Sequence, residues 1–386
     1  MKTLLFVVVF VVGRLCGSGA IIADHGCTNI TAIPVSAIQA AKDSLHIAYG
    51  HTSHGSQITD GMRGLVTFMN NKGYLTDLFE WNHSGSNGAL HLYEGDGYGE
   101  GDLDHDAGYY PNWVNETRDY LGEPNAAGRG SAHPDMNVIM WSWCGQLSWY
   151  SSEDVQQKYL DEMNQLESDY PDVTFVYMTG HADGSGLDGT LHQTNQYIRN
   201  YCAQNDKVLF DFYDIECYDP DGNYYGDQHV SDNCSYDGGN WALEWQNSHE
   251  QGMDWYDCGS AHSHPVNANQ KAYAIWWLWA RLAGWDGQTT KVEEDQILPS
   301  DFVLLGNYPN PFNASTTVRF MLKVPADVGL AVFNNAGQRI LDIPATTKPA
   351  GVHSFNISLN REPSGIYYYR MSANHQSAVG RLLLLR

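Results

Sequence analysis

Short apolar runs alternate, up to about residue 285, with stretches whose apolar residues recur every three or four positions. The run Leu45-His46-Ile47-Ala48-Tyr49 reads as a buried strand. It breaks at Gly50 and passes through His51-Thr52-Ser53-His54-Gly55-Ser56. A helical face of Ile58, Met62, Leu65, Val66 and Met69 follows. Further strands are predicted over Leu78–Trp81, Asn137–Trp143, Val173–Met178 and Val208–Phe212. Helices are predicted over Ser151–Tyr170, around Thr194–Cys202, and over the Trp-rich stretch Asn267–Ala283, which stops at Gly284. Polar turns sit where the strands end. The pattern predicts a doubly wound three-layer α/β/α sandwich of the flavodoxin-like kind.

The ends of the chain differ from this. Residues 1–20 hold Lys2, an apolar run from Leu4 to Val12, and the small residues Ser18-Gly19-Ala20. This reads as a secretory signal peptide, too short to anchor in a membrane. Residues 286–300 turn polar and read as a linker. Beyond them the period becomes two, over Val318–Leu322, Val328–Phe333, His353–Leu359 and Gly365–Met371. A small β-sandwich is expected for residues 301–386, and the α/β domain for residues 21–285.

Charge narrows the set of partners. The whole chain carries −24, and −26 once Lys2 and Arg14 leave with the signal. The acidic excess lies before residue 300, which argues against nucleic acid and anionic membranes. No second apolar stretch approaches the length of a transmembrane helix. Cys27, Cys144, Cys202, Cys217, Cys234 and Cys258 remain after processing. An even count in a secreted chain predicts disulfides, with Cys234–Cys258 the first pair expected.

Ser53 is the candidate nucleophile. A strand, a tight turn and a helix lift a side chain to the carboxyl edge of an α/β sheet, where ligands bind. Backbone N–H groups at the new helix start can stabilise negative charge. A plain N-cap serine is the competing explanation. The base is sought in Asp257-Cys258-Gly259-Ser260-Ala261-His262-Ser263-His264-Pro265, where His262 and His264 both qualify and Asp257 is the nearest preceding carboxylate. His51, His54 and His181 fall where strands end, so they line a pocket or, with the late histidines, hold a metal. Two Gly-rich acidic loops, with Asp102, Asp104 and Asp106 in one and Asp219, Asp221 and Asn223 in the other, are candidates for structural calcium.

Two resemblances add to this. Asn307-Tyr308-Pro309-Asn310-Pro311-Phe312-Asn313, Val332-Phe333-Asn334 with Gly337-Gln338, Ala350-Gly351, Ser364-Gly365-Ile366-Tyr367 and the tail Gly380–Arg386 resemble the type IX secretion sorting domain of Bacteroidetes-type bacteria. That resemblance implies partnership with the type IX machinery and delivery through the outer membrane, to the cell surface or beyond. The preceding domain is similar to a divergent SGNH/GDSL hydrolase. Its His51-Thr52-Ser53-His54-Gly55 stands in place of Gly-Asp-Ser, and His262-Ser263-His264-Pro265 stands where that family's base belongs. The resemblance implies oxyanion donors at Gly88 (or Gly85) and at Gln146. It departs from the family in lacking an acid three residues before either late histidine.

The expected function is a secreted serine esterase that needs no cofactor and removes acyl groups from polysaccharide. A metal-dependent hydrolase or lyase built on the histidines is one alternative. A non-catalytic glycan-binding surface protein is the other.

Overall fold

The computed structural model describes residues 19–288, apart from 75 and 96–101, and residues 302–385, apart from 323, 335–337, 361 and 374–375. Nearly all of the expected signal peptide and most of the linker lie outside the described residues.

The first unit begins with β1 (Ile21–Ala23), α1 (Val35–Ser44), β2 (His46–Gly50) and α2 (Ser56–Asn71). Next come β3 (Trp81–Asn82), β4 (Leu90–Glu94), α3 (Asn112–Leu121) and β5 (Val138–Trp141). A helix then runs as α4 (Ser152–Val155), a π-helical turn (Gln156–Leu160) and α5 (Asp161–Asp169). It is followed by β6 (Thr174–Met178), α6 (Thr190–Gln204), β7 (Val208–Phe210) and α7 (Phe212–Glu216). The unit closes with a small hairpin of β8 (Ser235–Tyr236) and β9 (Gly239–Asn240), then α8 (Trp241–Ser248) and α9 (Pro265–Leu282).

Seven strands form one sheet in the order β1-β7-β6-β5-β2-β4-β3, and every pairing is parallel. All four residues of β5 are buried, so both faces of the sheet are covered by helices. Strand β2 lies between β4 and β5. The chain turns to opposite sides after it, which opens a crevice at the carboxyl ends of β2 and β5.

Two expectations need correction. The second principal strand is β4, not Leu78–Trp81: only Trp81 of that run joins the sheet, in the two-residue edge strand β3. Leu78 and Phe79 fill the core beneath the edge instead. The six cysteines of residues 19–288 are all free thiols, so the Cys234–Cys258 bridge is absent. Cys234 Sγ faces Ser263 Oγ at 3.4 Å, and Cys258 Sγ faces the Pro265 carbonyl at 3.9 Å.

The second unit holds β10 (Phe302–Tyr308), β11 (Ser315–Leu322), β12 (Ala326–Phe333), β13 (Arg339–Lys348), β14 (Gly351–Ser358), β15 (Gly365–Ala373) and β16 (Gln376–Leu384). Sheets β10-β11-β14 and β13-β12-β15-β16 are antiparallel throughout and share a core of Val318, Phe320, Val328, Ile357, Tyr369 and Leu382.

Under the crevice of the first unit, α2 and α9 pack backbone to backbone. A Cβ on Gly61 would stand 2.2 Å from the Ala268 carbonyl oxygen, so the approach requires glycine there. Beside this contact Lys271 of α9 and Glu216 of α7 are fully buried and paired, Nζ to Oε1, at 2.6 Å. Lys271 also donates to Gln57 Oε1 and lies 3.6 Å from the centroid of the Phe212 ring. Burial pulls the Lys271 ammonium pKa down, and Glu216 counters it. Removing one member leaves the other charge uncompensated in a dry interior. Lys271→Met is therefore expected to cost about 3–5 kcal/mol in urea unfolding. A loss below about 1 kcal/mol would contradict the account of this pair.

Candidate active site

The turn after β2 is shaped by two glycines. A Cβ on Gly50 would stand 2.3 Å from the Trp141 ring, so this residue lies flat against the indole. A Cβ on Gly55 would meet His51 Cβ and Ser142 Oγ, each at 2.4 Å, and the Tyr49 hydroxyl at 2.7 Å. Tyr49 donates to the Gly55 carbonyl at 3.0 Å and fixes the turn from below. Between these points Ser53 stands exposed, at the mouth of the crevice. The backbone N–H groups of Ser53 and His54 donate to no backbone oxygen among the described residues.

Ser53 Oγ lies 2.9 Å from His262 Nε2. The loop carrying His262 is held from both sides. Gln57 Nε2 donates to the Ala261 carbonyl at 2.6 Å, and Asn267 Nδ2 donates to Ser263 Oγ at 2.8 Å. His262 itself has φ 63°, a strained conformation for a residue with a side chain.

His262 stacks on His54 at 4.4 Å and 16°, and His54 stacks on His181 at 3.7 Å and 2°. The central ring is clamped: His54 Nε2 donates to Asp232 Oδ2 at 3.2 Å, and His54 Nδ1 faces Cys144 Sγ at 3.3 Å. Burial lowers the pKa of His54, and Asp232 opposes this without cancelling it. Burial raises the Asp232 carboxyl, but its bond to His54 and the nearby histidines bring it below its ordinary value. Burial also raises the Cys144 thiol, which therefore stays protonated at neutral pH. His181 Nδ1 donates to the Ala182 carbonyl at 2.8 Å, and its Nε2 is buried without a partner.

The remaining candidates separate. Gln146 lies beside the crevice, against Gly108, and its Oε1 is buried without a partner. His51 is engaged at both nitrogens, by the Thr52 carbonyl at 3.0 Å and by Glu94 at 3.2 Å, so it braces the turn. His264 begins α9, with Nε2 3.3 Å from Asn240 Nδ2, and makes no bond to Ser53. Asp257 is exposed and bonds neither late histidine. The carboxylate at the histidines is Asp232, which sequence reasoning missed. Gly88 lies two residues before β4, at the amino end of the sheet, opposite to Ser53. That placement followed from the wrong second strand. At the crevice, the corresponding position belongs to Gly95, whose N–H donates to the Tyr49 carbonyl at 3.0 Å.

Among the described residues, the His/Cys/Asp/Glu groups close enough to share an ion contain none of Asp102, Asp104, Asp106, Asp219 or Asp221. Asp106 accepts from Thr52 Oγ1 at 2.8 Å and from Gly108 N at 2.9 Å. Asp219 accepts from the backbone of Asp221 and Asn223, from the Asn223 amide and from the Tyr225 hydroxyl, which closes an ordinary turn.

The depressed pKa of His54 has a consequence for stability. Between its folded value and the ordinary value near 6.5, the unfolded chain binds the extra proton. His54 therefore contributes stability above pH 6.5 that is lost as the pH falls. The melting temperature of His54→Gln is expected to fall less steeply than that of wild type from pH 7 to 5. Parallel curves would contradict this.

One family model matches, that of the secretion system C-terminal sorting domain, over residues 307–384. No curated protein matches the chain. Among solved structures, dimeric latent PorU from Porphyromonas gingivalis is similar at 15% identity over 22% of this chain and 9% of that one, with a TM-score of 0.19. The endo-beta-1,4-mannanase from Thermotoga petrophila is similar at 10% identity over 65% and 48%, TM-score 0.17. A modular endo-beta-1,4-mannanase from Cellulomonas fimi is similar at 12% over 84% and 58%, TM-score 0.21. The chain spans less than two thirds of each of these structures, and all three superpose too poorly to bear on its fold or activity. Among the described residues, no helix is long and apolar enough to cross a membrane. Residues 307–384 are a C-terminal sorting domain of the type IX secretion system, and the chain is a protein exported by that route in Bacteroidetes.

Proposed function

We propose that the α/β unit is a secreted serine hydrolase of the SGNH type, an esterase that removes acetyl or similar acyl groups from polysaccharide. The observation that carries this is the 2.9 Å contact of Ser53 Oγ with His262 Nε2. The strand order β4-β2-β5-β6-β7 supports it, being the flavodoxin-like 2-1-3-4-5 arrangement with its crevice beside the first strand.

In this reading His262 Nε2 takes the Ser53 proton as Oγ attacks the ester carbonyl. The N–H groups of Ser53 and His54 receive the oxyanion. The sugar oxygen leaves with the proton from His262, and acyl-Ser53 remains. Water then attacks, passes its proton to His262, and the acid departs as Ser53 recovers that proton. A ring nitrogen of His262 lies within 4.8 Å of an Asp232 oxygen, near enough for the carboxylate to stabilise the imidazolium. His54, kept neutral by burial, adds no opposing charge. An acidic domain, carried outside the cell, suits neutral polymers better than anionic ones.

A metal-dependent hydrolase rests on a different observation: His54, Asp232 and His262 each offer a ligand atom within 4.8 Å of the others. Zinc held there would activate water. The parallel stack weighs against it, because rings 16° apart at 4.4 Å aim their in-plane lone pairs side by side.

Ser53→Ala is expected to lower kcat at least about a thousandfold on short acyl esters and acetylated polysaccharide, with the fold retained. Ser56→Ala and Cys144→Ala are expected to stay within a few-fold of wild type, and a chelator to change nothing. Full activity in Ser53→Ala, or loss on chelation restored by zinc, would overturn the serine reading. Binding of glycans without turnover would favour the non-catalytic alternative.

A further inference from the structure

The opposite edge of the sheet holds a second histidine cluster. His46 opens β2, and His91 lies directly across from it on β4. Their Nδ1 atoms approach to 2.7 Å. Asp135, in the loop before β5, brings Oδ2 to 3.5 Å from His46 Nδ1 and 3.7 Å from His91 Nδ1. The two rings meet edge-on, at 75°, so both nitrogens can face one point. This differs from the parallel stack beside Ser53.

We propose that His46, His91 and Asp135 form a binding site for a divalent transition metal of the zinc kind, separate from the hydrolytic centre. Two imidazoles and one carboxylate are a donor set that zinc takes. Tetrahedral zinc with bonds of about 2.0–2.1 Å holds its donors about 3.4 Å apart. The separations of 2.7, 3.5 and 3.7 Å bracket that value, so sub-ångström shifts complete the triangle. Without an ion, one Nδ1–H donates to the other Nδ1. With an ion, both Nδ1 atoms are bare, and the displaced proton moves to Nε2 of its own ring.

The surroundings favour such an ion. His46 and Asp135 side chains are 38% and 49% exposed, which leaves an entry path and room for a water as fourth ligand. Asn137 Oδ1 accepts from the His46 backbone N–H at 2.8 Å, and the β2–β4 pairing fixes the register of the two histidines. The three ligands come from three segments, so the ion cross-links β2, β4 and the approach to β5. Ser53 lies beyond the far end of β2, on the order of 15 Å away along a five-residue strand. The metal is therefore a stabiliser and takes no part in the chemistry proposed at Ser53.

The test uses the full chain, stripped with a chelator and titrated calorimetrically with zinc. One zinc per chain is expected, with a melting temperature raised by a few degrees. His46→Gln and Asp135→Asn, both at half-exposed positions, are each expected to weaken binding at least tenfold and to cancel the rise. Near-UV circular dichroism checks that the fold is kept, and if His46→Gln fails to fold, Asp135→Asn alone decides. His262→Gln is expected to bind zinc as wild type does. No zinc bound by wild type, unchanged affinity in the folded variants, or loss in His262→Gln would each overturn the site. Zinc binding is measured without substrate, so this outcome is independent of whether Ser53 proves catalytic.

Discussion

The buried pair of Glu216 and Lys271 is the constraint on which the crevice depends. Each charge serves a second purpose. Lys271 donates to Gln57 Oε1, and Gln57 spends its amide N–H groups on the carbonyl beside His262. The second Glu216 oxygen accepts from Ala182 N at 2.6 Å, beside His181. The helix that follows the Ser53 turn, the loop of His262 and the loop of His181 are thus tied to one dry ion pair. An apolar pair of the same volume could stabilise the fold equally well. It could not hold two loops by their backbone groups, and that is the physical reason to find charges there.

Above this pair, three imidazoles form a column of which only the outer one, His262, is exposed. The central ring is neutral, since burial disfavours its charge while Asp232 and Cys144 occupy its two nitrogens. A neutral ring with a carboxylate behind it gives His262 a flat support and a negative field without a direct hydrogen bond. At the other end of β2, His46 and His91 meet edge-on in place of stacking. The angle between rings, more than the residue types, separates a place suited to moving a proton from one suited to holding an ion.

Much of this was legible in the sequence where chemistry follows local order. The Ser53 turn announces itself by an apolar strand, a Gly break and an amphipathic helix. Pro265 and the final helix mark the stretch that holds both late histidines, but the proline favours His264, whereas the structure brings His262 to Ser53. The sorting domain carries its own ordered motifs. What failed depended on tertiary contact. Leu78–Trp81 is more apolar than Leu90–Glu94, so the pattern points to the wrong run as the sheet strand and to Gly88 in place of Gly95. Asp232 sits in a loop without periodicity, and nothing in its neighbourhood marks it as a partner of His54, 178 residues away in sequence. Cys144 was hidden by an even cysteine count that suggested bridges. Lys271 was hidden within a Trp-rich helix whose pattern predicts only core.

The central claim is that Ser53 is a nucleophile activated by His262. A fluorophosphonate ester, which phosphonylates activated serines, tests it directly when followed by peptide mass spectrometry of the full chain. One label per chain is expected, on Ser53, and His262→Ala is expected to abolish it. Labelling of Ser56 or of another residue, or labelling of Ser53 that persists at the same rate without His262, would contradict the account.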